Sequence, residues 1–551
     1  MASHSESGRY DAVVVGGGIG GLVCAAYLAA AGRRVLLAEQ HDVTGGNAQV
    51  FRRRRAYEFD VGMHYLGDCG PGGLLPAILS GLAVADRVRF RPMDPDGFDR
   101  IVLPGTTLDV PFGWDRYLAR LRAALPAEAD AVAHCVGVLR EVAQALRDRM
   151  TAPHRSTPEP AAVPPALFSW GGRTLGELFT RHGLSRRAVT LLAAQSGNYG
   201  TPPSTTLTST HATMLDHYLR GAYAAVGGGQ SLIAALVEVI EAHGGEVRTR
   251  CPVERILIAD GNRCAGVRLA AGGTVHAPVV VSNADYRRTV LELCSGQGFS
   301  PAVVERTRRA TMRAAVAVTY VALDRPLDLP NANIWWWRHA DIENSYARAL
   351  NGEDPSPAFA FLSFGSLKDP GSRTVCPPGH SNFQVMTLVP PLTGAPTRYR
   401  RDAAYLAAKA RMQETLLDMA EAAIGPFRSG ITHLETATAR TNDRYIGNGS
   451  GTPYGFDDWG GHGRRPNIRT GVHGLYAVGA GTGFGAGVLG TALSGITAAG
   501  RILERPLLPE VYAGTVLADA DLLPERDAGF DPLRVSRGLA RRDARGLARI
   551  G

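Results

Sequence analysis

Apolar residues in this chain gather in short unbroken runs and in longer uncharged stretches rich in glycine. Ala12-Val-Val-Val15, within Tyr10 to Val15, and Val35-Leu-Leu-Ala38 read as buried strands. Between them, Gly16-Gly-Gly-Ile-Gly-Gly21 leads into an alanine-rich helix, Leu22 to Ala31, closed by Gly32, and Glu39 stands at the end of the second strand. The uncharged stretches Ala12 to Gly32 and Leu475 to Gly500 are each long enough to cross a bilayer. Their glycine density fits a strand, a turn and a sheet-packed helix better than a membrane span.

Further along, Leu108 to Met150 reads as mostly helical, Met150 to Pro165 as a proline-rich exposed loop, and Leu175 to Asp216 as helical with breaks. Val226-Gly-Gly-Gly-Gln-Ser231 follows no clear strand and opens a helix, Leu232 to Ala242. Strands are expected at Glu246 to Thr249, Val253 to Ala259, Ala265 to Leu269, Val279 to Val281, Thr311 to Leu323, Asn333 to Trp337, Ala358 to Leu367 and Asn382 to Leu388. A long helix is expected over Tyr399 to Ile424. Strands grouped between helices predict an α/β chain with a mixed sheet and a second domain.

Composition narrows the picture. The 551 residues carry a net charge of +8, with 45% hydrophobic and 20% charged, which excludes wholesale disorder. Length alone suggests about three or four units. Only Lys368 and Lys409 are lysine among the 59 basic residues, a codon bias rather than a function. The mild positive charge does not argue for nucleic acid. Seven cysteines without a C-x-x-C pair argue against a disulfide framework or zinc. A reducing cytoplasm is the expected compartment, with peripheral contact at a membrane surface left open, and Met1 to Asp11 lacks the basic start of a signal peptide.

The N-terminal pattern is G-x-G-x-x-G in its proper setting. Gly16 permits the tight turn, Gly18 leaves the backbone open to a pyrophosphate, and Gly21 lets the helix lie close to the sheet. The helix start offers free N–H groups to phosphate, and Glu39 is placed to accept from ribose hydroxyls. The motif alone leaves NAD and FAD open. Thr44-Gly-Gly-Asn47 supplies a second glycine pair where FAD proteins of the glutathione-reductase type carry one. Gly474-Leu-Tyr-Ala-Val478 then reads as a strand, followed by Gly479-Ala-Gly481 and Thr482-Gly-Phe-Gly-Ala-Gly-Val-Leu-Gly490, a second turn able to face the other end of the same dinucleotide.

From about Tyr10 to Leu503 the chain resembles the phytoene desaturase and retinol saturase superfamily of FAD-dependent polyene oxidoreductases, which includes carotenoid isomerases. Five stretches carry the resemblance: Asp11 to Asn47, Tyr57 to Gly67, His211 to Gly229, Val279 to Asp285 and Leu475 to Gly490. It implies a Rossmann-like FAD domain of the glutathione-reductase type, assembled from residues 10–65, 226–291 and 471–503. A mixed-sheet and helical substrate domain would comprise 66–225 and 292–470, and 504–551 would be a basic C-terminal tail. It implies FAD held by Gly16, Gly18, Ile19, Gly20, Gly21, Glu39, Gln40, Gly46 and Asn47, with Val253 against adenine and Gly479, Ala480, Val488 and Leu489 on the flavin side. It further implies a long apolar conjugated substrate and an unidentified electron donor or acceptor.

In that chemistry flavin N5 exchanges hydride with a carbon of the chain, and the protein supplies or removes a proton. His64 and Tyr65 are the candidates for the proton, or else they shape the flavin pocket. His217, Tyr218, Trp335 and Trp337 are candidate substrate contacts, with packing as the alternative. In a strand, at most two of Trp335-Trp-Trp337 share a face. His211 and His217 are six apart, which is not a metal pair on a helix, and no metal is expected. Arg52 to Arg55 reads as a solvated loop, with one or two contacts to a pyrophosphate or an acidic partner conceivable. The tail arginines Arg534, Arg537, Arg541, Arg545 and Arg549 read as loosely ordered. Saturation of a double bond is the leading reading, ahead of desaturation or cis–trans isomerisation. A flavin amine oxidase loses weight because neither lysine lies near a flavin-facing motif. A flavin-free prenyl-lipid chaperone is the rival from another class.

Overall fold

A valine run with no polar face needs cover on both sides. The computed structural model, which describes residues 9–152, 163–312, 314–351, 357–392, 401–459 and 464–539, provides it. Ala12–Val15 lies at the centre of a five-stranded parallel sheet in the order Glu246–Arg248, Val35–Ala38, Ala12–Val15, Val279–Ser282, Leu475–Ala477. Ala12 stands in register with Val35 on one side and Val279 on the other. Helices Ile19–Ala30, Gly229–Ala242 and Val488–Leu503 cover one face. A three-stranded antiparallel sheet, Val253–Ala259, Arg263–Leu269 and Thr274–His276, covers the other. The fold is α/β, and the two stretches that mimic membrane spans are strand, turn and helix. Among the described residues no helix is long and apolar enough to cross a membrane.

The second layer is a seven-stranded mixed sheet in the order Ile431–Ala437, Ala315–Leu323, Ser381–Val389, Phe359–Ser363, Asn333–Trp337, Asp99–Leu103, Thr106–Val110. Period-two alternation sorts its side chains. Val321, Leu323, Phe383, Val385 and Leu362 pack beneath the helix Ala403–Ile424. Val318, Tyr320, Phe361 and Met386 face a cavity instead. Helices Trp114–Ala124, Ala129–Thr151 and Thr208–Leu219 enclose that side with a large apolar core.

Three expectations change. Asp99–Leu103 and Thr106–Val110 are strands, so the helical stretch begins only at Trp114. A strand, Ala222–Ala225, does precede the Gly227-Gly228 turn, but it pairs with Leu66–Gly67 and Phe90–Pro92 rather than joining the parallel sheet. The segment after Leu503 is not loose as far as Leu539: Leu507–Tyr512 packs on Leu74–Ser80, and Pro532–Val535 packs on Gly229–Ala242. The proline-rich 153–162 and the arginines at 541, 545 and 549 lie outside the described residues.

Helices Ile19–Ala30 and Val488–Leu503 meet through glycines. A Cβ on Gly495 would lie 2.4 Å from the carbonyl oxygen of Gly20. Gly495→Leu is expected to force the two apart and to cost about 1–3 kcal/mol of stability, read as a lowered thermal midpoint. An unchanged midpoint would contradict this packing.

Candidate active site

The first turn is shaped by contacts that only glycine permits. Gly16 takes φ +97° directly after Val15. A Cβ on Gly18 would meet Asn283 Nδ2 at 2.7 Å, and one on Gly21 would meet the Gly16 oxygen at 2.4 Å. Gly17 N–H donates to Glu39 Oε2 (2.7 Å), and His41 N–H donates to Oε1 (2.8 Å). The carboxylate is thus fixed beside the loop with acceptor sites to spare. The second turn lies against the first: a Cβ on Gly20 would be 3.0 Å from Gly479 N, and one on Gly479 would be 2.8 Å from Asn283 Oδ1. Asn283 therefore sits between both turns, a residue whose place the sequence stretch contained without revealing its role. Around Gly483, Gly485 and Gly487 a Cβ would meet nothing within 4 Å, so the backbone borders open space.

That space belongs to one continuous cavity of about 1760 Å³. It exceeds the roughly 300–1,000 Å³ of an ordinary small-ligand pocket, leaving room for a dinucleotide and a long second ligand. Gly16, Gly18, Ile19, Gly20, Glu39, Gln40, Gly46, Asn47 and Val253 border it, as do Gly479, Ala480, Val488 and Leu489. Gly21 does not; it serves the contact between helix and turn. His64, Tyr65, His217, Tyr218 and Trp335 also line the cavity, whereas Trp337 does not. Trp337 donates from Nε1 to the Ala194 oxygen (3.2 Å), and its ring packs against Phe359.

Two cavity aromatics hang from one buried carboxylate. Asp99, fully buried, accepts from Tyr65 Oη (3.0 Å), Gln195 Nε2 (2.6 Å), Asn333 Nδ2 (2.8 Å) and Trp335 Nε1 (3.0 Å). Burial raises its pKa while the four donors oppose the rise. Tyr65 stacks on Tyr218 with centroids 4.2 Å apart. Burial first, and then the neighbouring Asp99, hold the Tyr65 phenol far above its usual titration range. Losing its proton beside a carboxylate would be costly, so Tyr65 is a poor acid.

Behind this wall lies a lysine that the sequence did not place. Lys368 Nζ donates to the His64 carbonyl oxygen and to Ser363 Oγ, both at 2.6 Å. Burial pulls its pKa down to about 7 and pushes that of nearby Asp60 up to about 7. Burial, followed by the charge of Lys368, draws the His64 imidazole down to about 3, so the ring is neutral at ordinary pH. Lys368 does not itself line the cavity; it reaches the His64 backbone across 304 residues of sequence, a contact the sequence hid.

The arginine run and the C-terminal segment also close on the cavity. Arg52 binds Glu58 (2.6 Å) and both oxygens of Asp531 (2.9 and 3.0 Å), and Arg53 binds Glu435 (2.5 Å). Thr44 N–H and Oγ1 donate to the Ser536 oxygen (2.9 and 3.0 Å), and Arg537 binds Asp42 (2.8 Å). Leu533, Arg534 and Arg537 line the cavity near the first turn. Arg465, half-buried beside the second turn, donates to the Tyr454 and Ala480 oxygens (2.8 and 2.5 Å); desolvation lowers its pKa to about 10. Among the described residues no cluster of metal ligands occurs.

Comparison with known proteins agrees with this geometry. Residues 19–503 match the flavin-containing amine oxidoreductase family. The chain is 26% identical to an all-trans-retinol 13,14-reductase of Macaca fascicularis, covering 82% of this chain and 77% of that one. It is 25% identical to a chloroplastic prolycopene isomerase of Arabidopsis thaliana, covering 90% and 82%. A solved oxidoreductase from Methanosarcina mazei shares the fold, with a TM-score of 0.61 at 18% identity over 90% of this chain and all of that one.

Glu39→Ala removes a carboxylate held by two backbone N–H groups at the first turn. Flavin affinity is expected to fall about ten- to hundredfold, measured by fluorescence titration of the apoprotein. Unaltered affinity would remove Glu39 from the cradle.

Proposed function

We propose, for a chain that belongs to the flavin-containing amine oxidoreductase family, that it saturates a carbon–carbon double bond of a lipophilic polyene. FAD is its cofactor. The observation that carries the reading is the single cavity joining the glycine cradle to an aromatic wall of Tyr65, Tyr218, Trp335 and Phe361. Relatives named for a retinol reductase and a prolycopene isomerase, both polyene enzymes, support it.

The arrangement divides the labour. Residues 10–65, 226–291 and 471–503 form the coenzyme lobe, joined by the segment through Leu539, and 66–225 and 292–470 form the substrate lobe. Gly16, Gly18 and Gly20 admit the pyrophosphate, Glu39 takes ribose, and Val253 borders adenine. Gly479, Ala480, Val488 and Leu489 border the ring system. Bound there, FAD supplies two-electron chemistry, moving hydride to a carbon of the conjugated chain. Tyr65 and Trp335, fixed by Asp99, align that chain and exclude water. His64 is the proton-handling group. Its neutral imidazole lines the cavity, and its buried Nδ1 has no partner. One ring nitrogen gives its proton to the substrate carbon as the other takes one from water. Tyr65 positions and does not donate.

In the test, dithionite-reduced holoprotein meets all-trans-retinol without oxygen, and the product is weighed. A gain of two mass units is expected. An unchanged mass with altered retention supports the isomerase instead, and a loss of two with oxidised flavin supports the desaturase. A colourless protein that only binds the lipid is the chaperone. His64→Phe is expected to slow turnover about a hundredfold, and Tyr65→Phe by less than about tenfold; the reverse order would exchange their roles.

A further inference from the structure

The family match ends at residue 503, yet the chain continues over the coenzyme lobe. Leu507 and Val511 are buried in the core of that lobe, and Arg526 Nη2 then binds Glu238 Oε2 (2.8 Å) on Gly229–Ala242. Residues 531–539 return across the ends of two strands of the parallel sheet. Thr44, beyond Val35–Ala38, donates twice to the Ser536 oxygen, and Thr249, beyond Glu246–Arg248, donates from Oγ1 to the Arg537 oxygen (2.7 Å). Leu539 N–H donates to Glu241 Oε1 (2.6 Å). In an open parallel sheet, the crevice outside the carboxyl ends of the strands is where dinucleotides bind.

The segment presses on the first turn through one residue. Thr44 is fully buried, and a Cβ on Gly17 would lie 2.8 Å from its Cγ2. Gly45 N–H, next in the chain, donates to the Gly17 oxygen (2.7 Å). Leu533, Arg534 and Arg537 border the cavity. Arg537 N–H donates to the Arg534 oxygen (3.3 Å), so one short turn carries both arginines. Arg537 is paired with Asp42, and Arg52 and Arg53 on the same margin are paired with Glu58 and Glu435. Arg534 is exposed, and among the described residues its guanidinium has no hydrogen-bond or ion-pair partner.

The charges at this margin say what Arg534 would meet. A pyrophosphate brings two negative charges to a turn already bordered by Glu39 and Asp42. Arg537 balances Asp42, whereas Glu39 is held by backbone N–H groups. An unpaired guanidinium matches phosphate oxygens in both charge and geometry. We infer that residues 531–539 are a retaining strap of the coenzyme site and that Arg534 is its phosphate-binding residue. The inference extends that site past the family match, and it does not depend on which lipid the cavity takes.

The test measures FAD binding by fluorescence titration of the full-length apoprotein, ADP binding by calorimetry, and FAD release from the holoprotein by flavin fluorescence after dilution. Arg534→Gln is expected to weaken FAD and ADP alike by about tenfold, with the thermal midpoint of the apoprotein unchanged. Arg534→Lys keeps the charge and is expected to bind within about threefold of the unaltered protein. Thr249→Val removes one anchor of the strap without bordering the cavity, and is expected to speed FAD release about fivefold. In the unaltered protein, FAD and ADP should both slow hydrogen exchange over 531–539. Undiminished FAD affinity in Arg534→Gln overturns the phosphate contact, and so does a loss seen with FAD but not with ADP. A loss that comes with a lowered apoprotein midpoint and is not recovered by lysine assigns Arg534 to folding and overturns it too. Release from Thr249→Val at the unaltered rate, or exchange over 531–539 that neither ligand slows, overturns the strap. An unaltered apoprotein that takes up neither FAD nor ADP sinks the coenzyme site itself, a different failure from a loss confined to the variants.

Discussion

Everything in this protein depends on how closely two glycine turns, more than 450 residues apart in sequence, can approach. Gly20 nearly touches the backbone of Gly479, Gly495 nearly touches that of Gly20, and Asn283 fills the notch between the turns. A methyl group at any of these points would push the turns apart. Because the strands Ala12–Val15, Val279–Ser282 and Leu475–Ala477 are hydrogen-bonded neighbours, their following loops emerge together at one sheet edge. The cradle is therefore a consequence of strand order, and the small side chains preserve what that order brings together.

The substrate side follows a different logic. Its wall is a sheet face, so alternation decides which aromatics are available, and a single carboxylate fixes how they are held. Among the described residues Asp99 has no cation as a hydrogen-bond partner and relies on four neutral donors. Such a group demands geometric fidelity, since removing any donor leaves buried charge less satisfied. It makes the wall rigid where a conjugated chain must lie flat.

Much of the coenzyme lobe was legible because it obeys local rules: valine runs, glycine turns and an acid at the second strand end. Every residue expected to border the coenzyme does border the cavity except Gly21, whose role is to bring the helix close to its turn. What escaped notice is non-local. Asp99 lies on a strand, Asp99–Leu103, that was not recognised, and nothing in its neighbourhood announces four distant donors. Lys368 meets His64 only through the fold. Trp335 and Trp337 share a strand face, but the cavity ends between them. The segment beyond Leu503 lacks a clear apolar period, and its order comes from long-range contacts: Leu507, Val511, Ala518 and Leu523 are buried in the core of the coenzyme lobe, and Asp531 pairs with Arg52.

The scarcity of lysine has a practical side. With Lys368 buried and held by two acceptors, reagents directed at lysine side chains find Lys409, on the helix Ala403–Ile424. Tethering the folded protein to a surface or a dye through its lysine side chains therefore attaches it at a single point.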